Sequence, residues 1–563
     1  MFRNVESHFA QTPQIAQGRS IFQRPLTHKM SGDVGRVYPI YNEVIYPGDT
    51  VKMNVSKVVR LQTLLTPILD SMYMDIYFFF IPFRLIWTHW KEFMGENTQS
   101  AWIPQVTYTI PTISAPTSTG FTVGGLADHF GLPVGVPWTN SMKHVPYALP
   151  FRAYALTMNE FFRDENLTDP LNIPVGDSNQ TGTNGDSYIN DVANGGRPFK
   201  AAKYHDFWTS HLPSPQKGQS VKFPLLSNTK APVSSLSDMV HSSGDVNTGT
   251  SGIIFLKQDN GSGKLGSLSG KYNLELNNGV TSYHTSSNTD NLNTVIPANL
   301  WADLTDNVGA VTVNQMRLAF QLQKYYERLA IGGSRYTESI KSLFNVTSPD
   351  GRIQRPEYLG GNRVPIAIHE VTNNAQTSQD FLGDLGAMSK TADVADMFVK
   401  SFSEHGLLQG YCVCRYDHSY SQGFDPAWLR TTSEQWYNPI FANIGEQPTP
   451  LCCLYADTTT MNSDDVFGYQ EAWADMRYSV SNRVVGEMRP GIANTLASWH
   501  LSDYYASAPT LSDGWIREDP ANVDRVLAVQ SSVSNQFFAD FYFDATWTRV
   551  MPMYSIPGLI DHH

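Results

Sequence analysis

The chain has 563 residues, 16% charged and 12% aromatic, rich in Gly, Ser, Thr, Asn and Pro, with a net charge of −12. That length exceeds one ordinary core, and that balance excludes a disordered chain or a coiled coil and fits a loop-rich β protein with much surface buried against partners. The charge is uneven: residues 421–563 carry 17 acidic and 7 basic side chains, all seven arginine, whereas residues 1–40 carry Arg3, Arg19, Arg24, Lys29 and Arg36 against Glu6 and Asp33.

Residues 1–40 show no sustained periodicity and include Pro13, Gly18 and Pro25, so they read as an extended basic N-terminal arm suited to phosphate. There is no basic-then-apolar leader pattern, and the longest apolar run, Ile76 to Phe83, is too short to span a bilayer. At Pro47-Gly48-Asp49 the chain turns, Pro fixing φ and Gly accepting a positive φ. Val51, Met53 and Val55 then alternate with Lys52, Asn54 and Ser56, a half-buried strand.

The stretch Ser71 to Glu96 is the densest apolar block. Met72, Met74, Ile76, Phe78 and Phe80 share one face of a strand, and the other face (Tyr73, Asp75, Tyr77, Phe79, Ile81) is also mostly apolar. Such a strand has protein above and below it. Pro82 stops the ladder, and Trp87, Trp90 and Met94 follow at helical spacing before Gly95. Residues 101–150 read as long connections. Pro150 to Leu167 predicts a helix with Phe151, Tyr154, Met158 and Phe162 on one face.

From Ala231 to Leu300 the composition changes: 35 of 70 residues are Gly, Ser, Thr or Asn, and eight are charged. Tyr272, Leu274 and Leu276 alternate, and Ile253–Leu256 is apolar, so this is read as an inserted surface module of short strands. Asn314 to Leu329 predicts a helix. The C-terminal part reads as β-rich, with Phe541, Phe543, Ala545 and Trp547 alternating against Tyr542, Asp544, Thr546 and Thr548. The implied division is an arm at 1–40, a sandwich at 41–224 and 305–563, and the module at 225–304.

The motifs of chemistry are absent or incomplete. Gly261, Gly263 and Gly266 fit G-x-G-x-x-G but lead into a turn and strand instead of a helix. His369-Glu370 lacks the second histidine of HExxH. His205, Asp206, Ser210 and His211 supply hydrolase residue types without a nucleophile elbow. Asp464-Asp465 reads as a helix cap or lead-in, and Asp561-His562-His563 as a polar chain end. Cys412, Cys414, Cys452 and Cys453 have no zinc spacing and read as reduced, small core hydrophobes. No catalytic residue, cofactor or metal site is assigned, and the chain is not read as an enzyme.

The phrases FFFIPFRLIW and HWKEFMGE (residues 78–96) resemble the central signature of the major capsid proteins of microviruses, small icosahedral single-stranded DNA bacteriophages, and of the gokushovirus branch in particular. So do YNEVIYPGDT (41–50), LPFRAYALTMNEFFRDENL (149–167), KYHDFWTSHLPSPQKG (203–218), GGSRYTESIKSLFNVTSPDGRIQRPEYLGGNRVPI (332–366), two long phrases within 467–529 and the closing MPMYSIPGLIDH (551–562). The resemblance implies an antiparallel eight-stranded jelly roll with long loop insertions, and copies that self-assemble into a T=1-type icosahedral shell around circular single-stranded DNA. It also implies a small basic DNA-associated protein and other minor virion proteins as partners, residence in the virion after assembly in the bacterial cytoplasm, and an insert that forms an outer protrusion for a host receptor. Arg3, Arg19, Arg24, Lys29 and Arg36 are the DNA-contact candidates. A carbohydrate-binding β-sandwich or glycosidase is the alternative, supported by the aromatic content and the acidic C-terminal third.

Overall fold

The structure, a computed structural model, describes residues 18–97, 106–219, 221, 313–374, 382–480 and 483–555, together with short strands between 233 and 302. Two compact units are distinguished: residues 1–217 with 327–563, and residues 218–326.

The first unit is built on two antiparallel sheets. Strands β1 (Ser20–Gln23), β2 (Leu26–Gly32), β3 (Tyr38–Ile45), β4 (Thr50–Leu61) and β5 (Met72–Pro82) come first; β6 (Glu357–Pro365), β7 (Thr391–Ser401), β8 (Gly406–Tyr416) and β9 (Phe537–Arg549) complete them. One sheet runs β2-β9-β4-β7, with β1 also on β9; the other runs β3-β8-β5-β6. This alternation of strands between two sheets is the jelly-roll order. Among the described residues the two sheets hold nine strands, and Arg24-Pro25 separates β1 from β2 along the same edge.

Within the segment read as an extended arm, the described residues from Ser20 onward pair into the sheet as its edge. The alternation was masked because the inward positions of β2 are His28, Met30 and Gly32, not a run of large apolar residues. Residues 1–17, with Arg3, lie outside the described residues.

The sandwich core lies between the sheets. Val51, Met53, Val55 and Val59 of β4 meet Phe541, Phe543, Ala545 and Trp547 of β9 and the even-numbered face of β5. The other face of β5, with Phe79 and Ile81, belongs to a second core covered by α1 (Leu149–Thr157) and the connections around it. Burial on both faces is why β5 reads as apolar throughout. At the Pro47 turn, Gly48 has φ +90°.

Three helical expectations are refined. After Pro82 there are two short helices, Phe83–Ile86 and Trp90–Phe93, because Trp87 is extended and its indole donates to Asp177 at 2.7 Å. Helix α1 continues as a π-helix to Phe162 and stops short of Leu167, where Asp164 accepts from the Asn166 and Leu167 N–H groups. The long helix α2 spans Val313–Gly332.

In the second unit three ladders nest in sequence: Val233–Ser235 with Leu300–Ala302, Leu256–Gln258 with Val295–Pro297, and Tyr272–Asn277 with Val280–Thr285. This unit is wider than the 225–304 expected from composition.

Candidate assembly surface

The four described candidates for DNA contact differ in their surroundings: two are paired within the chain and two are exposed. Arg24 is held by Glu43 at 2.9 Å and lies over the Trp547 ring at 5.2 Å. Arg36 is bidentate to Asp186 and donates to the Pro198 carbonyl at 2.8 Å. Both therefore bring strand ends and loops together and have their charge matched within the chain. Arg19 and Lys29 are exposed; Lys29 stands on the outward face of β2, across the ladder from Asp540.

The hydrolase residue types are separated by their bonding. The Asp206 carboxylate accepts from the Thr209 N–H at 2.7 Å and from the Tyr420 hydroxyl at 2.7 Å. His211 is stacked on Trp208 and bonds Thr449 through Nε2 at 2.8 Å; burial lowers its pKa to about 4. His205 is exposed. Asp464-Asp465 leads into the strand Val466–Glu471 and not into a helix. Cys412 and Cys414 are buried free thiols in the sandwich core; Cys452 and Cys453 are buried free thiols in a 3-10 turn. The G-x-G-x-x-G glycines and the terminal histidines lie outside the described residues. Among the described residues no group of His, Cys, Asp and Glu is arranged to hold a metal ion, and no described helix is long and apolar enough to cross a membrane.

A cavity of about 350 Å³ is lined by Phe207, Trp473, Glu434, Glu471 and Asp475 among others, the combination a saccharide cleft would need. Two of its acids are engaged in structure: Asp475 pairs with Arg430, and Glu471 with Arg477 at 2.6 Å, while Glu434 is exposed. Glu446 faces Glu471 across a short ladder, and burial together with the Glu471 and Glu327 charges raises its pKa to about 7.

What holds this loop-built part is a buried charge cluster. His418 donates through Nδ1 to Asp503 at 2.7 Å and through Nε2 to Glu518 at 3.0 Å, which requires the imidazolium form. Lys203 reaches the other Asp503 oxygen at 2.8 Å and lies over the Trp515 ring. Burial alone would lower the His418 pKa; the Asp503 and Glu518 carboxylates outweigh it and raise it to about 9. Gly35 packs here with φ +86°, and a Cβ on it would fall 2.3 Å from the Glu518 Cβ. A second cluster centres on Asp75 of β5. It accepts from Arg363, Arg415, Tyr77 and Tyr204, donors that outweigh its burial and hold its carboxyl below the usual range.

On this base stands a ledge, residues 424–444, made of three 3-10 turns: Pro426–Leu429, Ser433–Gln435 and Pro439–Phe441. Its inner side is anchored. Arg430 pairs with Asp475, Asp425 with Arg483, and the Trp473 indole donates to the Phe441 carbonyl at 3.0 Å. Its outer side presents Trp428, Trp436 and Ile440 at 76%, 58% and 84% exposure. A cluster of large apolar groups held toward solvent marks a contact surface, and Trp is typical of contact centres. Sequence reasoning passed over this ledge because its aromatics follow no strand or helix period. The signal available was their density (Phe424, Trp428, Trp436, Tyr437, Phe441) among turn residues.

The fold alone leaves the function open, and the comparisons with known proteins, which cover nearly the whole length, decide the family. The profile of a phage family described as "Capsid protein (F protein)" matches residues 10–559. The chain belongs to this family of phage capsid proteins. Capsid protein VP1 of Spiroplasma virus 4 is 36% identical over 94% of this chain and 93% of its own length. Capsid proteins VP1 of Bdellovibrio phage phiMH2K and Chlamydia phage 1 are 34% and 33% identical, each over 99% of this chain and 98% of their own lengths. These are microvirus capsid proteins, so the resemblance seen in the sequence holds. The capsid protein is a structural component of the virion, not an enzyme, and its kind assembles into a shell.

Proposed function

We propose that copies of this capsid protein close a small T=1-type icosahedral shell around circular single-stranded DNA. The unit at 218–326 would form an outer protrusion that meets the host receptor. The observation that carries the reading is a jelly-roll sandwich whose long loops hold an apolar ledge rigidly toward solvent, a surface that self-association covers. Phosphate neutralisation falls to Arg19 and Lys29, with Arg3, because Arg24 and Arg36 are matched within the chain; the acidic excess elsewhere calls for a small basic virion protein as well.

Particles recovered after co-expression with the companion virion proteins test this by gel filtration, negative-stain imaging and nuclease protection. Uniform closed particles holding nuclease-resistant single-stranded DNA are expected. A chain that stays monomeric beside its companions overturns the reading. Removal of residues 231–300 is expected to leave the sandwich folded and to abolish host attachment; unfolded product would count against that boundary.

A further inference from the structure

The ledge is matched by a second exposed apolar surface on the same unit. Helix α3 (Tyr336–Phe344) projects Tyr336 and Phe344 at 72% and 74% exposure. The charges around the two surfaces are opposite. Residues 421–475 carry eight acidic side chains and one basic one; Asp425, Glu471 and Asp475 are matched by Arg483, Arg477 and Arg430, which leaves Glu434 as the exposed acid of the ledge itself. Residues 333–356 carry four basic and two acidic side chains; Arg335 pairs with Glu338 and Arg355 with Asp350, which leaves Lys341 and Arg352 exposed and the segment positive.

We propose that the ledge of one subunit seats on helix α3 of a neighbouring copy, Trp428, Trp436 and Ile440 packing against Tyr336 and Phe344 while Glu434 of the ledge faces Lys341. This deepens the shell reading and rests on it. The contact is heterologous, joining two different patches, so repetition continues past a dimer, and it forms a ring where the rotation between copies closes. Pre-organisation favours it. The ledge is fixed to its own subunit by the Arg430–Asp475 pair and the Trp473–Phe441 hydrogen bond, and α3 ends on Asn345 in the left-handed region, bonded back to Lys341. These anchors within each subunit reduce the ordering cost of contact. The charge difference steers the approach and disfavours ledge-on-ledge pairing.

The test uses the full chain co-expressed with its companion virion proteins. Hydroxyl-radical footprinting compares particles with subunits released under the mildest dissociating conditions. Oxidation of Trp428, Trp436, Tyr336 and Phe344 is expected to fall roughly tenfold in particles, as for residues at a desolvated contact centre. Ile440→Asp, an exposed site, is expected to abolish particles while leaving the released subunit's circular dichroism unchanged. Lys341→Glu and Glu434→Lys should each lower particle yield, and the double exchange should restore it. Closed particles in which the four rings remain fully oxidised overturn the pairing and leave the shell standing. A wild-type chain that forms no particles overturns both.

Discussion

The sandwich and the loop-built region beside it are held by different physics. In the sandwich, β4, β5, β8 and β9 contribute alternating apolar faces to one continuous core, and Phe78, Phe541 and Trp547 are fully buried. In the loop-built region regular elements are short, and segments far apart in sequence meet on charges: Lys203, His418, Asp503 and Glu518 come from three stretches of chain. Periodic burial tolerates variation in any one apolar side chain at the cost of a cavity. A buried ion cluster tolerates no unpaired loss, because the partner left behind stays desolvated.

Single substitutions separate the two modes. Asp503→Ala leaves both the His418 imidazolium and Lys203 without their shared carboxylate and is expected to cost about 3–5 kcal/mol. Phe541→Ala should cost a similar 3–5 kcal/mol by cavity formation. The two are told apart in urea denaturation at several pH values: the Phe541 variant keeps the wild-type pH profile, and the Asp503 variant loses the alkaline limb described next.

That limb comes from His418. Its folded pKa, about 9, lies above the unfolded value near 6.5. The folded state therefore binds more protons between those values. The stabilisation, roughly 3 kcal/mol, is complete below pH 6.5 and is lost as pH rises through 9. His211 has the opposite sign: its folded pKa of about 4 means stability falls as pH drops from 6.5 toward 4. A denaturation midpoint that does not move between pH 7 and 9 would remove the imidazolium from the account.

The smallest effect sharpens the contrast from the sandwich side. Lys57 of β4 points into the core and reaches Asp393 at 2.7 Å, near the edge strand β7, where Asn362 also donates to Asp393. Asp393 keeps solvent access, so Lys57→Met exchanges an ion pair for packing and should leave stability within about 1 kcal/mol of wild type by urea denaturation.

Legibility in the sequence follows the same division. Strands β4, β5 and β9 could be read from period-two alternation, and helix α2 from its 3.6-residue spacing, because a repeated apolar position is a local statement. Strand β2 could not, since His28 and Gly32 hold inward positions that a packed neighbour makes acceptable. Five basic side chains near the N-terminus looked equivalent as a list. Only the fold separates Arg24 and Arg36, paired to Glu43 and Asp186, from Arg19 and Lys29 on the surface. The ledge was unreadable for a related reason: an aromatic residue in a turn carries the same letter whether it faces the core or the solvent.

By itself, then, the sequence determined the family, the β-sandwich class and the position of the deeply buried strand, all carried by contiguous phrases or local periods. The tertiary structure alone decided which sheet each strand joins, which charges are matched, and where large apolar groups remain uncovered. Those depend on partners up to hundreds of residues distant, as when His418 meets Asp503 and Val34 donates to Gln536, and no local pattern encodes a partner that far away.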